Sequence, residues 1–337
     1  MMKKRTRALM YLRFLRSKDA VRWAYQMENG QKLALEEPRT FCEKLNWLKL
    51  SPAAPGLRRY VDKLVARDYA AHVLGAEHVP KLLGIWQDAQ AIPWDALPDR
   101  FYLKCPHGSH CGICVIGNQQ AYRRRDADRA QRVKRIGKWL RRNWYWVARE
   151  APYRDIRPRV YAEADLSRGG LSPVDYKVMC FGGEPEIVQV HRKFGRQCTI
   201  DLYDKRGCKL DARKRGYPVS QQVHIDAVML SDLLVAARKL ARGVVGPDGR
   251  IWPYVRVDLY YVGGRVMFGE MTFFDSAGLR PFEPPAFENL LGGMIPIDSM
   301  TCPKCLAPMR YSVAGDARHD CCPKCGLRRT KKIEVGS

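Results

Sequence analysis

Acidic residues are in short supply in this chain. Its 337 residues carry 35 Asp and Glu against 59 Lys and Arg, a formal charge of +24. A surplus of that size attracts polyanions: nucleic acid, anionic lipid head groups, nucleotides or acidic polysaccharides. Charge alone does not choose among them. Long apolar runs are lacking too. No stretch approaches the roughly 18 apolar residues that a membrane-spanning helix needs. The basic N-terminus, Met1 to Ser17, has neither the apolar centre nor the small-residue cleavage site of a secretory signal. No internal repeat is apparent. What remains is a composition of 46% apolar and 28% charged residues, suited to an ordinary globular protein with room for two domains.

Cysteine is present, with 12 in all, but its spacing is not that of a disulfide scaffold. Five of them (Cys302, Cys305, Cys321, Cys322 and Cys325) crowd into the last tenth of the chain. The others are scattered singly through segments that read as core, where a free thiol behaves as a small hydrophobe. This pattern fits a reducing compartment with one metal site, and the cytoplasm is the location expected.

The first ~35 residues read as short basic helices ending near Glu36-Glu37-Pro38. A helix is expected from Thr40, with Phe41, Leu45, Leu48 and Leu50 as its apolar stripe, and another over 57–75. Strand-like runs follow at Leu82 to Trp86, Phe101 to Cys105 and Gly112 to Ile116. A long helix is predicted from Ala127 to Val147, apolar at Ala130, Val133, Ile136, Leu140, Trp144 and Val147. Its other face is basic, which suits either a solvated surface or a dock for an anionic partner. Hairpins are predicted around Gly182-Gly183 and Gly263-Gly264, with a helix over 223–243 between them. Helices mixed with antiparallel hairpins indicate an α+β fold.

The second hairpin carries the most chemistry. In Tyr254 to Tyr261, Val257, Leu259 and Tyr261 alternate with Arg256, Asp258 and Tyr260; in the return strand Met267 and Met271 alternate with Glu270 and Thr272. A two-residue Gly263-Gly264 loop would set Asp258 against Gly269. A three-residue loop including Arg265 sets it against Glu270 and keeps the apolar rows together, so that form is predicted. Two buried carboxylates side by side need a compensating cation: a hard divalent ion, or Arg256 acting structurally.

Phe101 to Gly112 reads as a strand ending in Lys104, then a loop with Gly108, Ser109 and Gly112. Glycines allow backbone N–H groups to turn toward an anion, and the lysine supplies a point charge. The Gly-Lys-Ser/Thr ending of a P-loop is missing. Lys63, ahead of a helix, and Glu163, in a strand leading to a glycine turn, would pass as surface residues on their own.

Taken in order, four segments resemble the ATP-grasp superfamily, specifically its TupA-like branch, associated with teichuronopeptide and other cell-surface polysaccharide pathways. They are Thr40 to Leu50, Phe101 to Ser109, Asp175 to Pro185, and Val255-Arg-Val-Asp258 with Phe268-Gly-Glu-Met-Thr-Phe273. The resemblance implies an ATP-grasp fold over about 30–290 and an enzyme forming carbon–nitrogen bonds with ATP and Mg2+. It implies that Lys63 and Lys104 contact phosphates, that His107, Gly108, Ser109 and Gly112 form the loop over them, and that Glu163 belongs to the strand that recognises adenine. Asp175 is assigned to the ribose. Asp258, Glu270 and Thr272 are assigned to magnesium, and Arg256 to the transferring phosphoryl group or an acyl phosphate, with Lys177 and Arg192 as further anion contacts. Positioning and charge neutralisation of this kind supply most of the catalysis in phosphoryl transfer. Thr272 stands where many relatives have Asn, and His110-Cys111 where the branch usually has glycines.

Beyond the resemblance, Cys302-Pro-Lys-Cys305 and Cys322-Pro-Lys-Cys325 form two C-x-x-C knuckles separated by 16 residues. That spacing brings four thiolates into a tetrahedron suited to structural Zn2+, with Cys321 able to replace Cys322. The fold expected is therefore an ATP-grasp core over 40–298, preceded by basic N-terminal helices over 1–39 and followed by a small zinc ribbon and basic tail over 299–337.

The leading reading is a carboxylate–amine ligase working on a peptide or a uronic-acid-containing polymer precursor. Its partners would be ATP, a carboxylate and an amine; contact with a membrane surface is compatible with the charge. One alternative is a kinase that phosphorylates a sugar or other hydroxyl. The other is a nucleic-acid-binding zinc-ribbon protein, the least favoured because it leaves the ordered motifs unused.

Overall fold

The computed structural model describes residues 15–109, 113–116, 126–167, 172–194, 197–220, 224–247, 249–297, 302, 310–314, 317–322 and 324–332. Four helices come first. Helix α1 (Ser17–Asn29) buries Ala20, Val21, Ala24 and Tyr25 in the main core. Helix α2 (Phe41–Leu50) starts at Thr40 as expected, through a capping box: Glu43 N–H donates to Thr40 Oγ1 at 3.2 Å and Thr40 N–H donates to Glu43 Oε2 at 3.0 Å. The helical stretch over 57–75 is split. Helices α3 (Arg58–Val61) and α4 (Lys63–Leu74) meet at Asp62, whose extended backbone ends one and whose carboxylate caps the other, accepting from Leu64 N–H at 3.1 Å.

The smaller sheet contains β1 (Leu82–Trp86), β2 (Arg100–Lys104), β3 (Ile113–Ile116) and β4 (Val160–Ala164), in the order β1-β4-β2-β3 with every pairing antiparallel. Helix α5 (Asp126–Leu140) covers it, packing Ile136 with Phe101, Leu103, Val160 and Ala162. The helix expected to reach Val147 stops at Leu140. Asn143 supplies the reason: its side-chain oxygen accepts from Tyr145 N–H at 3.0 Å and its amide donates to Arg154 O at 2.8 Å. These local bonds compete with the helical ladder, and a separate short helix, α6 (Tyr145–Ala148), follows.

The larger sheet holds β5 (Asp175–Phe181), β6 (Glu184–Phe194), β7 (Gln197–Asp204), β9 (Tyr254–Val262) and β10 (Arg265–Thr272), all antiparallel, in the order β10-β9-β5-β6-β7. Strand β8 (Arg213–Lys214) pairs separately with β11 (Phe282–Glu283). Helix α7 (Ala227–Arg242) begins at Asp226, which accepts from Met229 N–H at 2.8 Å, and contacts β5, β6 and β9. It buries Leu233, Ala237, Leu240 and Ala241 in the main core. Alternation puts Phe181 and Tyr254 on the same face as Lys177 and Asp258. Phe41 of α2 packs there, with ring centroids 6.3 Å from Phe181 and 5.0 Å from Tyr254. Helix α8 (Pro285–Met294) lies against α2. One end of that face is thus filled by aromatics, and the other carries charges.

A third sheet, β12 (Arg310–Ala314), β13 (Ala317–Cys321) and β14 (Arg328–Lys332), forms the C-terminal element. Among the described residues, no helix is long and apolar enough to cross a membrane.

Candidate functional site

Asp258 does face Glu270, but not by the route the alternation suggested. The turn has two residues: Val262 pairs with Arg265, and Gly263 and Gly264 take φ of +61° and +75°, as a primed hairpin turn requires. The register then shifts between Phe268 and Glu270, leaving Gly269 as a bulge. A Cβ at Gly269 would stand 2.9 Å from the Asp258 carbonyl oxygen, which explains glycine there. Beyond the bulge Glu270 pairs with Asp258, Met271 with Val257 and Thr272 with Arg256. The apolar row is therefore Phe268 and Met271, and Met267, expected in it, pairs with Tyr260 instead.

These acids are held in a network of cations. Asp258, 2% exposed, accepts from Arg256 Nε at 2.7 Å and Nη2 at 2.8 Å, and also from Lys177 Nζ. Lys177 donates to Asp175 Oδ2 at 2.8 Å as well. Glu270 Oε2 meets Lys63 Nζ at 2.6 Å, and Thr272 Oγ1 accepts from Arg256 at 3.2 Å. Burial pushes the Asp258 carboxyl up, and Arg256 and Lys177 offset this only in part. At Glu270 burial also acts upward, but Lys63, then Lys177, hold the carboxyl far below its usual range. Burial opposes the charge of Lys177, while Asp175 and Asp258 outweigh it and raise its pKa. Asp175 Oδ1 is buried with no hydrogen-bond partner.

Helix α4 links this charged face to the smaller sheet. Lys63, in its first turn, reaches Glu270 on β10; Arg67, one turn on, reaches Glu163 on β4 at 3.1 Å. Lys104, at the end of β2, bonds the same carboxylate. Glu163 is 5% exposed. His107 is buried and its ring is fully engaged: Nε2–H donates to Trp139 O at 3.0 Å and Nδ1 accepts from Arg159 N–H at 3.4 Å. Burial lowers its pKa, consistent with this neutral tautomer. What His107 can offer an anion is its main chain. Gly112 lies outside the described residues, as do His110 and Cys111.

Arg192 stands apart from the other candidates. On β6 it alternates with His191 and falls on the face of Val190, away from Gln189 and Lys177. Its Nε is buried without a hydrogen-bond partner, and Tyr176 is the neighbour that senses its charge. The structure gathers the other charged candidates into three ion-paired groups, Lys63 with Glu270, Lys104 with Glu163, and Asp175, Lys177, Asp258 and Arg256 together, with Thr272 hydrogen-bonded to Arg256; Arg192 joins none of them.

Several members escape sequence reasoning. Arg67 is hidden on an amphipathic helix. Asp275, just past the hairpin, accepts from Arg256 Nη1 at 2.5 Å, Lys214 Nζ at 2.6 Å and Gln189 Nε2 at 3.1 Å. Burial pushes its carboxyl up, but Arg256 and Lys214 hold it far below the ordinary range. Asp275 precedes two non-glycine residues in left-handed backbone, Ser276 (φ +50°) and Ala277 (φ +58°). Such strain clusters at functional sites, and only coordinates reveal it.

At the C-terminus Cys302, Cys322 and Cys325 converge, their sulfurs all within 4.8 Å of one another. Cys322 and not Cys321 turns inward, and the knuckle closes through Gly326 N–H donating to Cys322 O at 2.9 Å, with Gly326 at φ +71°. Cys305 lies outside the described residues.

A family model described as TupA-like ATPgrasp matches residues 43–296. Among solved structures, D-alanine–D-alanine ligase from Bacillus anthracis complexed with ATP is 12% identical, with a TM-score of 0.41 over 71% of this chain and 66% of that one. The D-cycloserine synthetase DcsG is 14% identical, with a TM-score of 0.36 over 65% of this chain and 64% of the other. The ATP-grasp ligase PsnB complexed with minimal precursor is 13% identical, with a TM-score of 0.33 over 63% and 52%. This chain spans no more than 66% of the length of any of these three. No curated protein matches it.

Proposed function

This chain belongs to the TupA-like ATP-grasp family and has the ATP-grasp fold, and we propose that it is an ATP- and magnesium-dependent ligase joining a carboxylate to an amine. The observation that carries the reading is Asp258 opposite Glu270, ringed by Lys63 of α4, Lys177 of β5 and Arg256 of β9 itself. The donor set fits the group: carboxylate oxygens with a hydroxyl beside them suit a hard cation, and the unpartnered Asp175 Oδ1 suits a ribose hydroxyl. Asp258, Glu270 and Thr272 would hold Mg2+, which neutralises phosphate charge when bound.

The chain's own residues do the rest. Lys63 and Lys104 exchange their carboxylate partners for phosphate oxygens, while Gly108 and Ser109 offer main-chain N–H groups. A substrate carboxylate oxygen attacks the γ-phosphorus, the bond to the ADP oxygen breaks, and an acyl phosphate results. The amine nitrogen then attacks the acyl carbon, phosphate leaves, and the amine proton passes to solvent. Arg256, clamped by Asp258 and Asp275, presents its guanidinium in a fixed orientation, so little reorganisation is needed as charge develops. Lys177 adds a second fixed charge.

The substrate we propose is a peptide or a uronic-acid-containing precursor of a cell-surface polymer, handled in the cytoplasm; the +24 charge favours such an anionic partner. We assign the C-terminal thiols to structural zinc, with Cys305 as the fourth ligand. Sulfurs about 2.3 Å from a common ion fall within the observed mutual distances.

The test is ADP release by zinc-replete protein given ATP, Mg2+, carboxylates and amines, with Glu270→Gln as control. Release that requires both substrates supports the ligase. Release with a hydroxyl acceptor alone would make it a kinase, and absence of ATP binding would overturn the reading altogether.

A further inference from the structure

On the same face of the five-stranded sheet as Lys177 and Asp258 lies a histidine that the ligase steps leave unused. Across β5 and β6, Gln189 pairs with Lys177 and His191 with Asp175, so alternation puts both on the charged face. A chain of hydrogen bonds runs along it. Asp275, the carboxylate that clamps Arg256, accepts from Gln189 Nε2 at 3.1 Å, and Gln189 Oε1 meets His191 Nε2 at 3.2 Å. Gln189 has no exposed surface and Asp275 is 2% exposed.

This chain decides where the imidazole carries its proton. Burial works against the charge of Asp275, but Arg256 and Lys214 keep its carboxyl ionised, and an ionised carboxylate only accepts. Gln189 must therefore turn its amide nitrogen to Asp275 and its oxygen to His191. That oxygen accepts, so Nε2 of His191 carries the hydrogen. Nδ1 keeps its lone pair and makes no hydrogen bond among the described residues, in a residue that is half-buried. Burial lowers the pKa of this ring well below its usual value; Lys177, Arg256 and Lys214 act in the same direction, and Asp275 opposes them. Asp175 flanks the ring on β5, and its partner on β7 is the uncharged Ile200. The ring therefore stays neutral at neutral pH. His107 offers nothing comparable, since both of its nitrogens are engaged.

We propose that His191 is the base of the second half-reaction: its Nδ1 takes the proton from the amine as the amide bond forms. The assignment rests on the ligase reading and deepens it by naming the first acceptor of the proton on its way to solvent.

The amine nitrogen attacks the acyl carbon of the acyl phosphate, the C–O bond breaks, and its electron pair leaves with the phosphate. The attacking nitrogen has become cationic and gives a proton to Nδ1. The imidazolium then releases that proton to solvent, which restores the neutral ring. Asp275 serves both halves of the reaction. It orients the guanidinium assigned to the phosphoryl group and, through Gln189, the ring that meets the amine. The cations that weaken the ring as a base are also those that phosphate oxygens would match, so a bound phosphoryl group strengthens it when it is needed.

Two measurements test this. The first needs no substrate and no folded variant of altered chemistry: long-range 1H–15N correlation of the full, zinc-replete chain labelled with 15N-histidine. At neutral pH the His191 ring, identified by its loss in His191→Gln, should show Nε2 protonated and Nδ1 bare. A proton on Nδ1, whether in the other tautomer or in an imidazolium, overturns the proposal. The second compares two nucleophiles in the presence of ATP, Mg2+ and glutamate or glucuronate as the carboxylate. Hydroxylamine, weakly basic and mostly unprotonated at neutral pH, traps an acyl phosphate without help; glycinamide relies on a base. In His191→Gln, whose amide can still donate to Gln189, the ratio of amide to hydroxamate should fall ~100-fold or more. An unchanged ratio overturns the assignment, even where both products fall together, because a purely structural lesion does just that. A wild type with the expected tautomer that yields no hydroxamate refutes the ligase reading, and the step assigned to His191 falls with it.

Discussion

The five-stranded sheet and the C-terminal three-stranded sheet are both antiparallel, yet they differ in what fills the space behind the strands. Behind the larger sheet lies a continuous core to which α1, α2 and α7 contribute Val21, Leu45, Leu48, Leu233 and Leu240, each with no exposed surface. Behind the smaller one, the described core consists of Cys302 and Cys322, with Cys325 and Leu327 packed against them. Burying a leucine stabilises by roughly 2 kcal/mol, so the first region can hold itself together by packing. Among its described residues the second has little apolar surface to bury, and ordering each residue costs about 1–2 kcal/mol. The zinc proposed for these thiols would close that gap. Residue count does not make a domain stable; the filling between its layers does.

The largest effect expected from this contrast is removal of the proposed zinc. A strong chelator, or Cys322→Ser, should melt β12 to β14, because apparent zinc-binding energies of about 10–16 kcal/mol are also folding energies in such small sites. Amide exchange should show those strands lose protection while β5, β6 and β9 keep theirs. If the body melts together with the ribbon, the division between packing and metal fails. The converse is Leu233→Ala on α7, which should cost about 2–5 kcal/mol and lower the body's midpoint without releasing zinc, as a chromophoric chelator can report.

A smaller structural effect with a functional signature comes from Gly269→Ala. The added Cβ would crowd the Asp258 carbonyl at 2.9 Å, and we expect a loss of ~1–3 kcal/mol. The bulge is what sets Glu270 opposite Asp258, so ADP release should fall more steeply than stability. Unchanged turnover with an altered midpoint would show that the register beyond the bulge survives without glycine. Asp258→Asn provides the reference, with turnover down about 100-fold or more.

How much of this was legible depends on the range of each interaction. The start of α2 at Thr40 follows from four consecutive residues, and β1 from a five-residue run, so local pattern sufficed. The pairing of Asp258 with Glu270 was anticipated, but through a three-residue turn; alternation registers a one-residue offset without saying whether a turn or a bulge supplies it. Alternation in Gln197–Asp204 and the proline opening α8 are local signals of the same kind. Asp275, Lys214 and Gln189 meet from segments far apart in sequence, and no window of sequence could join them.

The smallest expected effect separates body from ribbon by pH. Glu150 follows Arg149, a buried residue in left-handed backbone at φ +56°. Burial pushes the Glu150 carboxyl up to about 7, against the pull of Lys49 and Lys63. Burial also lowers Lys49 to about 8, opposed by Glu150, while its ammonium donates to Ala277 O at 2.7 Å. A carboxyl that binds its proton more tightly in the folded state stabilises at low pH. Its contribution is fully present below the unfolded value of 4.5 and is lost as pH rises through about 7. His107 and His191, both lowered by burial, tilt the body the other way below their unfolded value of 6.5. The informative quantity is therefore the difference between wild type and Glu150→Gln, whose midpoints should diverge steadily across pH 4.5–7, the variant lacking the falling component. Over the same range the ribbon should gain stability with pH, because its thiols must lose protons to bind metal. A midpoint difference that stays flat with pH would remove Glu150 from the account. A zinc-release curve of the same sign as Glu150's would undo the contrast between a region held by packing and one proposed to be held by zinc.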